Sequence, residues 1–313
     1  MSGADRVTLR STLSAARHWL RVQVRDAIEL FALPALAAML PWPLCFAVYK
    51  RLARLPWLYR NAALRALVEA KARTSIDDSA QWLYQRKLVT LVDHADLFLS
   101  AFRSQRWVSR YVHVSGQWPA PGQPHILCTF HWGAGMWSLR HIRNAGLDAR
   151  ALAAPLSGMQ FQGRPVLYLY ARWRTARSAR ELGNPTIDAS ASLRPVLTSL
   201  RAQEQIVAVV DVPADAVAAA STVPMLGGKI SVPRGLLRLA AEKGVAVTVF
   251  TVGIDLDTGH RNLLITWLEP TPDPDVLISN VFREMERALL SQPAAWHFWG
   301  EANRFFLPED NHT

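Results

Sequence analysis

The sequence predicts an α/β fold: a mostly parallel central sheet flanked by helices on both faces, with an N-terminal membrane-associating helical region. Three observations carry that expectation. From Tyr111 onward, short β-like runs alternate with helical segments, and a parallel strand pair needs a long crossover between its members, usually a helix. The runs HILCTF (125–130), QIVAVVDV (205–212) and VAVTVFTVGI (245–254) are close to continuously apolar, as expected of strands covered on both faces. Before them, residues 1–73 carry twelve Lys or Arg against four acids, so a net +8 of the chain's +10 lies beside its oiliest stretch.

The N-terminal part comes first. From Ala27 to Tyr49 the chain reads AIELFALPALAAMLPWPLCFAVY, nearly long enough to span a bilayer. Glu29 and the prolines at 34, 41 and 43 argue against one uninterrupted helix. An interfacial or re-entrant helical hairpin fits better, with Trp42, Tyr49, Trp57 and Tyr59 at headgroup depth and Lys50, Arg51 and Arg54 outside; the other reading is a core helix packed on the rest of the chain. Five arginines dispersed through the first 25 residues, with no small-residue cleavage site, do not make a signal peptide, so retention in the cytoplasm is expected. Residues 1–75 are assigned to this membrane-associating region and 76–313 to the α/β domain.

Between Asp77 and Arg110, apolar residues at 88, 91, 92, 95, 98, 99 and 102 recur at helical spacing and predict one or two helices. Strands are then expected at YVHVSG, HILCTF, LDARALAA, QIVAVVDV, VAVTVFTVGI and NLLITWLEP. Helices are expected at WSLRHIRNAG, before Arg180, at SLRPVLTSLRAQ, at VPRGLLRLAAEKG and from about 275 to 290. Two cysteines, Cys45 and Cys128, do not make a disulfide framework or a metal cluster. Phosphate-loop, dinucleotide and H-E-x-x-H patterns are absent from the sequence, so neither a metal nor a nucleotide cofactor is expected. Because the cations flank apolar segments, anionic lipid is the expected partner and nucleic acid is not.

One stretch stands out for chemistry. In PHILCTFHWGAGMWSLR (124–140) an apolar run ends at His131 and passes through Gly133 and Gly135 into a helix-like segment. Ligands of open α/β sheets gather at the carboxyl ends of strands, which puts His131 where it can act as a base; a structural, hydrogen-bonding histidine is the competing reading.

The run TFHWGAGMW resembles the first motif of the lysophospholipid acyltransferase superfamily, particularly the bacterial lipid A late acyltransferase branch. VAVVDVPAD (207–215), VPMLGGKISVPRGLLRLAAEKGVAVTVF (223–250) and PAAWHFWGEANRFF (293–306) are similar to later segments of that branch, in the same order. The resemblance implies transfer of a fatty acyl group from a thioester, on an acyl carrier protein or coenzyme A, to a hydroxyl or amine of a lipid-like acceptor. The expected place is the cytoplasmic face of a bacterial-type inner membrane, held peripherally or monotopically. His131 would be the general base, and amides around Gly133 to Gly135 would receive the oxyanion. Where the family motif has a carboxylate, four residues intervening after the histidine, this chain has Met136. Three outcomes stay open: a carboxylate from elsewhere (Asp211, Asp215 or Glu301), a histidine with only a carbonyl or water partner, or a chain that binds acyl groups or their carrier without turnover. Trp132, Gly133, Gly135 and Met136 are expected to line the substrate site. Of the many arginines after the motif, Arg164, together with the later Arg234, is the candidate to grip phosphate or an acidic carrier.

Overall fold

Five helical stretches precede the first strand's lead-in helix because proline and charge punctuate the oily sequence. In the computed structural model, which describes residues 3–188, 192–213, 215 and 219–308, α1 (Gly3–Ala27) runs through a π-helical turn at 28–32 into α2 (Leu33–Met39). Pro41 ends that run, and Pro43 sits in the first turn of α3 (Trp42–Leu52), where a missing N–H costs nothing. Then come α4 (Arg60–Lys71), α5 (Ser79–Phe102) and α6 (Gln105–Tyr111). Asp78 caps α5 by accepting the amides of Ala80 and Gln81, both at 2.9 Å. Leu88, Leu91, Val92, Ala95 and Leu99 on α5 are fully buried, as their spacing predicts, while Phe102 at its end is exposed.

Among the described residues the strands are β1 (Val112–Ser115), β2 (His125–Thr129), β3 (Ala149–Ala151), β4 (Gln205–Val209), β5 (Ala220–Met225), β6 (Gly228–Pro233), β7 (Ala246–Ile254) and β8 (Arg261–Trp267). Six of them form one sheet in the order β1-β8-β7-β2-β4-β3, parallel throughout except where β7 meets β8. Between them lie α7 (Met136–Asn144), α8 (Pro165–Leu182), α9 (Arg194–Arg201) and α10 (Gly235–Lys243), and α11 (Pro274–Ser291) follows. One sheet face, with Val207, Val209 and Phe250, looks toward α7 and α8. The opposite face, with Val249 and Thr251, looks toward α11. The expected α/β class with helices on both faces is therefore observed.

The strand positions read from the sequence all appear, but a hairpin between them was not legible. β5 and β6 form a separate antiparallel pair closed by Leu226 and Gly227, both with positive φ, running into the start of the helix expected at VPRGLLRLAAEKG. The Gly-Gly at 227–228 is its only strong turn signal.

The N-terminal helices contribute to the same core as the strands. Trp42, Tyr49 and Tyr59, expected at headgroup depth, are buried. Trp42 lies 4.1 Å under the Arg261 guanidinium, itself ion-paired with Asp96 of α5 in the interior. Tyr59 donates its hydroxyl to the Glu29 carbonyl and its amide to the Glu29 carboxylate, both at 2.7 Å, so the acid that interrupts the oily stretch anchors a turn. Trp57 does remain exposed. No helix among the described residues is long and apolar enough to cross a membrane.

Candidate active site

Strand β2 delivers His131 and its neighbour β4 delivers Asp211. The register pairs Thr129 with Val209, so two residues further on the histidine and the aspartate stand side by side. His131 Nδ1 lies 3.0 Å from Asp211 Oδ1, and the His131 amide donates to both carboxylate oxygens at 2.9 Å. Trp296 Nε1 donates to Oδ2 at 2.9 Å. Asp211 is fully buried, and three N–H donors hold its charge there. A carboxylate oxygen accepts, so in the neutral ring Nδ1 carries the proton and Nε2 the lone pair. The imidazole itself is 39% exposed, open enough for a reactant to meet it.

Asp211 is thus the carboxylate beside the histidine, one of the three named from the sequence. The other two do not reach it. Asp215 and Glu301 both face Arg304 at the surface, at 3.0 and 3.6 Å. Met136, where the motif that this stretch resembles has an acid, begins α7 and is buried with Leu30, Leu97, Phe98 and Tyr170, the Ser178 hydroxyl 4.0 Å from its sulfur.

Gly133 turns the chain from β2 into α7 with φ +69°, and a Cβ on it would lie 1.9 Å from the Val252 carbonyl oxygen. That close approach admits only glycine. The amides of Gly133 and Ala134, offered from the sequence as oxyanion donors, are taken by Ala295 and Val252 carbonyls at 3.1 and 3.0 Å. Gly135 and Met136 keep amides with no hydrogen-bond partner among the described residues, at the positive end of α7. Trp132 is buried against Gly253, its indole N–H given to Gln292 O at 3.2 Å.

His131, Trp132, Gly133, Gly135 and Met136 line a cavity of about 440 Å³. A groove of about 700 Å³ shares Ala153, Thr175 and Thr186 with it and runs along α8 past Leu156, Leu169 and Trp173. Together they offer an apolar path of the size that takes extended ligands. Arg164 and Arg234 lie outside this lining. Arg164 pairs with Asp26 at 2.7 Å and ties α1 to the head of α8, and Arg234 opens α10 with its amide on Ala219 O at 3.2 Å.

The floor of the cavity holds a polar network that no sequence motif announced. Arg174 donates to Asp93 at 2.8 Å and to the Tyr170 hydroxyl at 3.2 Å, and that hydroxyl meets His94 Nδ1 at 2.6 Å. Burial alone would raise the Asp93 carboxyl, but Arg174, with His297 adding to it, brings it down to about 2. Burial lowers His94 to about 3 and His297 to about 4, so both rings are neutral near pH 7. His297 donates Nε2–H to the Gly133 carbonyl at 2.7 Å and its amide to the His131 carbonyl at 2.7 Å. Phe298 packs on the His131 ring with centroids 4.2 Å apart. Arg86, buried on α5, fastens this aromatic strap through the carbonyls of Ala294, Trp296 and His297. The signal available in the sequence was the strap's run of Trp, His and Phe, although nothing in it said that it closes over β2. The chain matches no protein-family model and no curated protein.

Proposed function

We propose that this protein is an acyltransferase, moving a fatty acyl group from a thioester on an acyl carrier protein or coenzyme A to a hydroxyl or amine of a lipid-like acceptor. The observation that carries the reading is the His131–Asp211 pair at the head of an apolar cavity. Nε2 of His131 takes the acceptor's proton as its oxygen or nitrogen attacks the thioester carbonyl; Asp211 steadies the imidazolium that forms. The free amides at Gly135 and Met136 suit the developing oxyanion. Collapse of the tetrahedral intermediate expels the thiolate, which leaves as the thiol once His131 returns the proton. The groove along α8 suits an acyl tail.

Exposed Trp19, Leu20 and Val24 on α1 alternate with Arg17, Arg21 and Arg25, a composition that favours adsorption to an anionic leaflet without crossing it. That supports work at the cytoplasmic face of an inner membrane. The deciding experiment measures thiol release from acyl carrier protein and coenzyme A thioesters with membrane lipid extract as acceptor, comparing wild type with His131→Ala. Turnover abolished by the substitution, with the circular dichroism spectrum unchanged, supports the reading. Turnover that survives it refutes the reading, and acyl groups retained by a protein that never turns over would mark a binding protein instead.

A further inference from the structure

At the opposite end of α7 from His131, a hollow of about 380 Å³ opens between the last turns of α7 and α8 and the start of α6. Arg140, Arg143, Arg177 and Arg180 line it together with a single carboxylate, Glu181. Glu181 is buried and already engaged by Arg140, at 3.0 Å from Nη2, and by Arg177. Those two arginines give further N–H groups to the carbonyls of Ser100 and Arg103, so they tie α7 and α8 to the end of α5. Arg143 and Arg180 are different. Neither pairs with a carboxylate among the described residues, and Arg143 donates only to the Arg180 carbonyl, at 3.4 Å.

A positive side chain in a helix's last turn suits the helix dipole, which accounts for Arg143 and Arg180 singly, as Glu181 accounts for Arg140 and Arg177. It does not account for four converging on one hollow with one negative charge. Burial, opposed in part by Glu181, and the neighbouring charges of Arg140 and Arg180 lower the Arg177 guanidinium from its usual range. An anion entering the hollow would relieve that crowding. The concave shape and small volume suit a compact group better than the convex surface of a protein.

We propose that this hollow is a phosphoryl-binding site, in which Arg143 and Arg180 grip the phosphate oxygens and the side-chain amides of Gln105 and Asn144 complete the contacts. Guanidinium forks match phosphate geometry. The site is separate from the His131 cavity and does not depend on acyl transfer. Two sources carry the same chemistry, a free phosphate compound and a lipid headgroup.

The test is calorimetric titration of the full chain with inorganic pyrophosphate and, separately, with dibutyryl phosphatidic acid, a soluble headgroup probe. Wild type binds at least one probe, more weakly as salt rises. The Arg143→Gln/Arg180→Gln double variant binds it roughly tenfold or more weakly with an unchanged unfolding midpoint, since Arg140 and Arg177 keep the helices together. Pyrophosphate alone points to a free phosphate compound, and phosphatidic acid alone to a lipid headgroup. No binding of either probe, binding that the double variant leaves intact, or capture only of an acidic protein overturns the proposal.

Discussion

Trp296 and His131 never touch through their side-chain polar atoms, yet they share one carboxylate: the indole N–H holds Asp211 Oδ2 while the imidazole N–H side meets Oδ1. A residue far along the chain therefore fixes the orientation of the ring that the site depends on. The acid that turns this histidine comes from the adjacent strand and not from the following helix, so a methionine at the head of that helix removes nothing from the pair.

Asp211→Asn tests the charge of that acid. The amide keeps the shape but loses the charge that stabilises an imidazolium, and turnover is expected to fall by about four orders of magnitude, read as thiol release. Asp211→Ala leaves the amide of His131 and the indole of Trp296 without their acceptor, and costs about 1–3 kcal/mol for each donor left buried and unpaired in urea unfolding.

Trp296→Phe keeps the ring and removes the donor. With one hydrogen bond to a buried carboxylate gone, stability drops by about 1.5–3 kcal/mol. On the proposed chemistry turnover falls while the affinity for a thioester assigned to the groove along α8 changes little; separate measurement of kcat and KM checks this.

Gly133→Ala asks for a side chain where the Val252 carbonyl stands 1.9 Å away and for a positive φ besides. The substitution is expected to cost on the order of 4 kcal/mol or more, seen as loss of soluble protein or a large fall in the unfolding midpoint. Gly135→Ala, with open space around its Cβ, is the control that keeps the fold.

Acid weakens the protein in two steps. Burial holds His94, His125 and His297 at about 3, 4 and 4, below their ordinary 6.5. Between pH 6.5 and 4 the unfolded chain therefore binds protons that the folded chain does not, and stability falls as pH falls, by on the order of 1.4 kcal/mol per pH unit for each ring. Asp93 is depressed to about 2, so the stability it contributes is present above its ordinary 3.8 and is lost below that, toward pH 2. Urea midpoints across pH 2 to 8 check both windows.

Trp19→Ser with Leu20→Ser removes exposed apolar side chains of α1 without touching the core. Binding to vesicles rich in anionic lipid is expected to fall by about tenfold or more, measured by co-sedimentation, with the unfolding midpoint unchanged.

The six strands of the main sheet were legible because their residues are apolar, β-branched and bounded by turns, and His131 was legible because it follows one of them. Asp211 was readable only as one of three acids: sequence distance says nothing about which strands lie side by side, and only the β2–β4 pairing selects it. Asp93, Arg174, His94 and His297 were not legible as a group, since three elements bring them together and each has an ordinary helical or loop context. The burial of Trp42 and Tyr49 went against the reading of their oily neighbourhood for a related reason. A stretch greasy enough for lipid is equally suited to the underside of α5, and local composition does not distinguish the two.

Arg86 reaches from the first third of the chain to fasten residues 294–297, which in turn supply the indole on Asp211 and the ring over His131. During synthesis β2 and β4 leave the ribosome before residues 294–297 are made, so the His131–Asp211 pair has to wait for the strap that covers it. A chain clipped before Pro293 would still hold every strand of the sheet, but Asp211 would lack its indole donor and His131 its aromatic cover.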